Sequence, residues 1–255
     1  MLDRVLEPEV MDNWQEATAY DAMDFSAVNR DFALTAIGLH PHAVRVLDIG
    51  TGTAQIPIIL CQEKSCYQVL GVDMAQSMLV LGRRNIEAAG LLQQIRLELA
   101  DGKNLPYPNW DFDMVISNSL VHHLPDPQSF FQQVARLVKP NGAVLIRDLL
   151  RPDSLVEIDR LVTAAGDYGP RQNQLFRDSL AAAFTLAEIQ DLVAAVGLTD
   201  YQLSQTSERH WTLAISGGGH NRMTNIWPRL IEQAIWLRFL DKPRKINYSV
   251  NKIDF

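Results

Sequence analysis

Residues Val44 to Thr53 read V-R-V-L-D-I-G-T-G-T, and this stretch decides how the rest of the chain is read. Val44, Val46, Leu47 and Ile49 form the short β-branched and apolar run expected of a buried parallel strand. Gly50 and Gly52 then allow a tight turn, because glycine takes positive φ at little cost and a backbone without Cβ admits a close ligand. Gln55 to Leu60 continues as a helix, whose first amides have no partner inside it. Strand, glycine turn and helix in that order make a nucleotide-type site at the carboxyl end of a sheet.

The turn is G-x-G followed by Thr53-Ala54-Gln55, so the third glycine of the dinucleotide fingerprint is missing. Asp48, two residues before Gly50, would repel a pyrophosphate but suits a cation. Both features oppose a nicotinamide dehydrogenase. The motif resembles the first motif of class I S-adenosylmethionine-dependent methyltransferases, whose D-x-G-x-G turn holds an amino-acid head and a sulfonium. The resemblance implies that Asp48, Gly50, Thr51 and Gly52 bind the methionine part of S-adenosyl-L-methionine.

Tyr67 to Met74 reads as a second strand, with Asp73 21 positions after Gly52. At that spacing an acid at the strand tip accepts from ribose hydroxyls, and Met74 stands beside it. Ile95 to Ala100 alternates as a third strand, and Asp101-Gly102 at its tip is where the resemblance implies adenine contacts. Asp111 to Asn118 is the fourth strand. Its end, at Asn118, is where the family places the motif between cofactor and acceptor. The N-P-P-Y or D-P-P-Y of amino-group methyltransferases is absent there, since the sequence is N-S-L-V.

His122 and His123 follow, in the run V-H-H-L-P-D. A histidine at this edge could act as a general base near neutral pH, or serve packing or a helix start. No metal is expected, because adjacent histidines do not converge on one helix face and no acid cluster with ligand spacing stands nearby. Ser129 to Val138 reads as an amphipathic helix, Lys139 to Gly142 as a stop and turn, and Ala143 to Leu149 as the fifth strand. The block L-x-K-P-N-G-A-V-L from Leu137 to Leu145 strengthens the resemblance.

The whole implies an α/β fold: a Rossmann-like, seven-stranded, mostly parallel sheet with helices on both faces and the last strand antiparallel, over residues 43–215. Helices expected at Met11–Ala22 and Asn29–Leu39 make residues 1–42 a helical lid, with Tyr20, Phe25 and Asn29 as cofactor or substrate contacts; simple helix packing is the equal alternative. A helical insertion at 151–184, with helices at Ser154–Ala165 and Gln172–Phe184, would build the substrate pocket. Arg147, Asp148, Arg151, Tyr168, Arg171 and Arg177 are within its reach. Thr185 and Glu188 form a capping box. Thr199–Ser204 and His210–Ile215 are the expected closing strands.

A chain of 255 residues can bury a full core. No apolar run reaches the roughly 18 residues of a membrane span, the start lacks a signal-peptide pattern, and Cys61 and Cys66 fit neither a metal motif nor a disulfide framework. A cytoplasmic enzyme is the expectation. The formal charge of −7 argues against nucleic-acid binding by the whole surface. The extension 216–255 differs: it is basic and carries an apolar helix at Ile226–Leu240 followed by cations to Lys245. It could pack on its own domain or a second copy as a homodimer, lie on a membrane surface through 226–245, or guide RNA. The acceptor expected is a small molecule. An RNA methyltransferase guided by the tail, and a non-catalytic cofactor-binding or assembly protein, stand as alternatives.

Overall fold

The computed structural model describes residues 2–7, 12–166 and 169–217. The expectations for Tyr168 and for the 226–245 helix lie outside them.

Seven strands form one sheet: β1 (Arg45–Ile49), β2 (Gln68–Asp73), β3 (Ile95–Leu99), β4 (Phe112–Asn118), β5 (Val138–Leu149), β6 (Gln202–Ser207) and β7 (His210–Ile215). Their spatial order is β3-β2-β1-β4-β5-β7-β6. β1 pairs in parallel with β2 and β4, β2 with β3, and β4 with β5, while β7 runs antiparallel to both neighbours. The order reverses between β1 and β4, which opens a crevice at their carboxyl ends.

Alternation along the strands sorts side chains to two cores. Leu47, Ile49, Val115, Val144 and Ile146 face one layer. It is closed by Phe130, Phe131, Val134 and Leu137 of α5 (Gln128–Leu137) and by Ile189 and Val193 of α8 (Leu186–Ala195). Val46, Met114, Ile116 and Leu145 face the other layer. There they meet α2 (Ser26–Leu39) through Phe32, Ala33 and Ala36, α3 (Gln55–Glu63) through Leu60, and α4 (Gln76–Ala88) through Ile86. Each such aliphatic or aromatic side chain contributes about 1.5–3 kcal/mol on burial. Both faces are covered, which explains why the central strands are almost continuously apolar.

α1 (Trp14–Asp21) lies outside these layers, against α4. Ala17 and Tyr20 pack with Ala75, Met78 and Leu81, and Asn85 Nδ2 donates to Asp21. The Asn13 side chain caps α1 by accepting from the amides of Gln15 and Glu16. α6 (Leu155–Ala165) and α7 (Pro170–Ala182) form the excursion between β5 and α8. Ser154 caps α6, and the Thr185–Glu188 capping box starts α8.

Several boundaries differ from expectation: α2 already begins at Ser26, α3 ends at Glu63 and β6 runs on to Ser207. β5 begins at Val138 rather than Ala143, because Lys139–Gly142 stays extended against β4 across a bulge between Phe112 and Met114. α7 begins at Pro170, a residue suited to a helix's first position, and ends at Ala182 because Phe184 bridges Leu150. β6 begins at Gln202 rather than Thr199, because Gly197 and Asp200 both take positive φ and keep the chain turning. After β7 the amide of Gly217 donates to Leu39 O at 3.0 Å, beside His40 and Asn141.

Candidate functional site

The glycine turn at the end of β1 is built around carboxylates. Gly50 and Gly52 take φ of 79° and 54°. A Cβ on Gly50 would meet the Leu120 side chain at 3.0 Å, so the turn and the segment after β4 touch. The amides of Gly50 and Thr51 both donate to Val72 O, and that of Ala54 to Thr51 O. The Gly52 amide donates to Asp73 Oδ2 at 2.8 Å, while Asp73 Oδ1 accepts from the Ala75 amide at 2.9 Å. These four amides of the turn are taken by its own neighbours; the amides expected to be open are those of the helix start, from Gln55 onward. The corner offers negative charge instead.

Asp48 is 2% exposed. Burial pushes its carboxyl up to about 7, and the nearby Asp73 adds to the rise. Burial also raises Asp73, against the amides of Ala75, Gly52 and Met74. Tyr20 comes to the same place. Its phenol is pushed up to about 12 by burial and then by the charges of Asp73, Asp48 and Asp21, and its ring lies 5.2 Å from that of Phe25. The Thr53 hydroxyl is buried without a hydrogen-bond partner, while Thr51 reaches Asp48 and opposes the rise of its pKa. Asn29 on α2 reaches the start of α3, its Nδ2 donating to Gln55 Oε1 at 2.8 Å.

Met74 follows β2 with its side chain largely exposed. Asp101, after β3, accepts from the Lys103 amide at 2.9 Å and faces Lys103 Nζ at 3.2 Å. Gly102 has a packing reason, since a Cβ there would meet Ile49 Cγ2 at 2.6 Å. Asn118 ends β4 beside β1, and Ser119 after it takes a φ of 57°. The structure thus gathers Asp48, Gly50, Thr51, Gly52, Asp73 and Tyr20 closely, with Met74, Asp101 and Asn118 at the ends of β2, β3 and β4.

His122 and His123 stand in a 3-10 turn, Val121–His123, past the end of β4. Asp148 near the end of β5 is 1% exposed and holds this turn. Its Oδ2 accepts from the Val121 amide at 2.5 Å, and its Oδ1 lies 2.5 Å from His122 Nδ1. On the far side the N-terminal strap brings in Glu7. Glu7 Oε1 lies 3.5 Å from His122 Nε2 and 3.1 Å from His123 Nδ1. Burial alone would lower the His122 pKa; Asp148, then Glu7, reverse this and raise it. Asp148 is held low by His122 despite its burial.

The strap is fixed by Arg4, which donates to the carbonyls of Ala182, Pro125, His122 and Leu124 at 2.6 to 3.1 Å and lies over the Phe184 ring. Neither Arg4 nor Glu7 figures among the sequence candidates, and no spacing rule links residue 7 to residue 122. The expectation that no acid stands near the histidines is corrected by Glu7.

The other candidates of the insertion are tied to the frame. Arg147 pairs with Asp31 at 2.8 Å. Arg151, 6% exposed, donates to Ala183 O and Glu188. Arg177 pairs with Asp159, and Arg171 with Glu16, which joins α7 to α1.

A family profile described as a methyltransferase domain matches residues 47–146. The chain is 26% identical over 173 residues to the 27-O-demethylrifamycin SV methyltransferase of Amycolatopsis mediterranei, covering 67% of this chain and 60% of that one. The chain spans about half the length of the curated relatives it matches. Among solved structures, a SAM-dependent methyltransferase from Aquifex aeolicus superposes with a TM-score of 0.59 at 17% identity, over 79% of this chain and 97% of that one. The plantazolicin methyltransferase, in complex with a triazolic desmethylPZN analog and SAH, superposes with a TM-score of 0.62 at 15% identity, over 91% of this chain and 85% of that one. At these identities the structural likeness carries the fold alone.

Proposed function

We propose that this chain, which matches a methyltransferase domain over residues 47–146, is a class I S-adenosylmethionine-dependent methyltransferase that methylates a small-molecule acceptor. The observation that carries the reading is the pair of carboxylates, buried Asp48 and half-buried Asp73, both raised above their ordinary range in one glycine corner. Two desolvated acids side by side call for positive charge. A phosphate ligand would add to their repulsion.

When bound, S-adenosylmethionine supplies an electrophilic methyl for in-line displacement by a nucleophilic acceptor. Asp48 would face the positively charged head, with Gly50 and Gly52 giving a backbone approach free of a Cβ and Thr51 between them. The Thr53 hydroxyl, buried without a hydrogen-bond partner, is a further polar group for that part of the ligand. Asp73 would take the ribose hydroxyls on its remaining lone pairs, beside Met74, and Asp101 with Gly102 would edge the adenine. Tyr20 on α1 would close over the corner as part of a lid, with Asn29 supporting it from α2. Asn118 would line the methyl-transfer site. In the ion-free chain, His123 or His122 would be the group to draw a proton from the acceptor, with Asp148 orienting the His122 ring. Much of the rate would come from positioning.

The acceptor class rests on a relative whose name specifies 27-O-demethylrifamycin SV. Calorimetric titration with S-adenosylmethionine and with NAD tests the cofactor. Binding of the first and not the second is expected, and the reverse would overturn the reading. Labelled methyl offered with a small-molecule extract then identifies the acceptor; tight donor binding with no label transferred would favour a non-catalytic binding role.

A further inference from the structure

We propose that Glu7, His122 and His123 form a binding site for one divalent transition-metal ion of the zinc class. One imidazole nitrogen from each histidine and one carboxylate oxygen of Glu7 lie within 4.8 Å of one another. Two separations are informative: Glu7 Oε1 to His122 Nε2 is 3.5 Å and to His123 Nδ1 is 3.1 Å. In a tetrahedral site with bonds near 2.0–2.1 Å, neighbouring donors stand about 3.3 Å apart. The two distances bracket that value.

Hydrogen bonding does not account for the oxygen. Glu7 Oε1 is buried and makes no hydrogen bond, although its side chain is only 8% exposed. A buried carboxylate oxygen aimed between two imidazoles and given no hydrogen bond is costly to bury. A cation there would satisfy it.

The supporting shell fits as well. Asp148 Oδ1 lies on His122 Nδ1 at 2.5 Å, which fixes the ring so that Nε2 faces Glu7. Metal-ligating histidines usually present their other nitrogen to a carboxylate in this way. Asp148 is in turn held by the amides of Val121 and Leu149. Glu7 is steadied by Ser179 Oγ at 3.1 Å and by the Arg4 strap. Two histidines and one carboxylate are a borderline donor set, suited to zinc and its first-row neighbours rather than to magnesium or calcium. Three protein donors leave at least one coordination position for an outside oxygen.

The site stands on its own geometry, so it is measured without any methyl donor. Full-length protein stripped with a chelator is titrated with Co²⁺, then challenged with Zn²⁺. One equivalent of Co²⁺ is expected to bind with the visible bands of nitrogen and oxygen ligation, and Zn²⁺ should displace it and raise the Tm. E7Q and H123Q should each weaken binding by about 100-fold or more. D148N, acting through His122, should weaken it about 10- to 100-fold. E7Q keeps an acceptor for Ser179; should it fail to fold, H123Q decides. Absence of one-to-one binding, equal binding in both variants, or a thiolate charge-transfer band placing the ion on Cys61 or Cys66 would each overturn the proposal. A chain that binds S-adenosylmethionine but no ion would lose this proposal alone.

Discussion

The glycine corner and the histidine cluster stand at the same edge of the sheet, yet they are assembled differently. The corner is made from two successive strand ends, and its parts lie within 26 residues, from Asp48 to Asp73. The cluster draws on residues 7, 122, 123 and 148, from a strap, a 3-10 turn and a strand. A ligand site made from one local supersecondary unit depends on backbone conformation. One made from distant segments depends on what ties those segments down, here the four carbonyls held by Arg4.

The largest effect that separates the two should come from D73A. It removes the acceptor that bridges the Gly52 and Ala75 amides and, on the proposed reading, two bonds to ribose. Affinity for S-adenosylmethionine should fall about 100-fold, on the order of 3 kcal/mol, with the strap unaffected. Titration calorimetry measures it; an unchanged affinity would separate Asp73 from the donor.

R4A is the converse. Loss of a guanidinium serving four carbonyls and the Phe184 ring should cost about 2 kcal/mol, which lowers the Tm by about 4–8 °C for a domain of this size. Donor affinity should change less than threefold. A large loss of donor binding in this variant would break the distinction between the two regions.

The smallest effect is a pH dependence at Asp48. Its carboxyl is raised to about 7 in the fold, so protonation favours the folded ligand-free chain. That contribution is complete below the ordinary carboxylate range and is lost as the pH rises through 7. Donor binding has the opposite sign, because a cation selects the carboxylate. Affinity should rise about tenfold between pH 6 and pH 8, about 1.4 kcal/mol, with proton release at pH 6. D48N should abolish both. Calorimetry in buffers of different ionisation enthalpy reads the proton directly, and an identical pH profile in D48N would remove Asp48 from the role.

The same contrast explains what could be read from the sequence. β1 and β4 are visible as apolar runs because both their faces are covered. The turn is visible because glycine most readily takes φ of 79° and 54°, as Gly50 and Gly52 do, and Asp73 because its distance from the turn is set by one helix and one strand. The partner use of the turn amides was not legible, since Val72 O belongs to the next strand. Nor was Glu7, because a strap without periodicity carries no record of where it docks. The start of β6 was misplaced for a related reason: Asp200 takes positive φ without being glycine, and nothing in its chemistry announces that.

The reversed direction of β7 has a consequence for the extension beyond it. His210 pairs with Leu149 near the rim where the carboxylates gather, while Ile215 pairs with Val144, deep toward the floor of the sheet. Gly217 is then anchored to Leu39, just ahead of the first strand. Whatever follows sets out from the floor. To influence chemistry at the rim it must travel the full height of a strand, on the order of 17–20 Å, so shortening that stretch would test its reach before its composition.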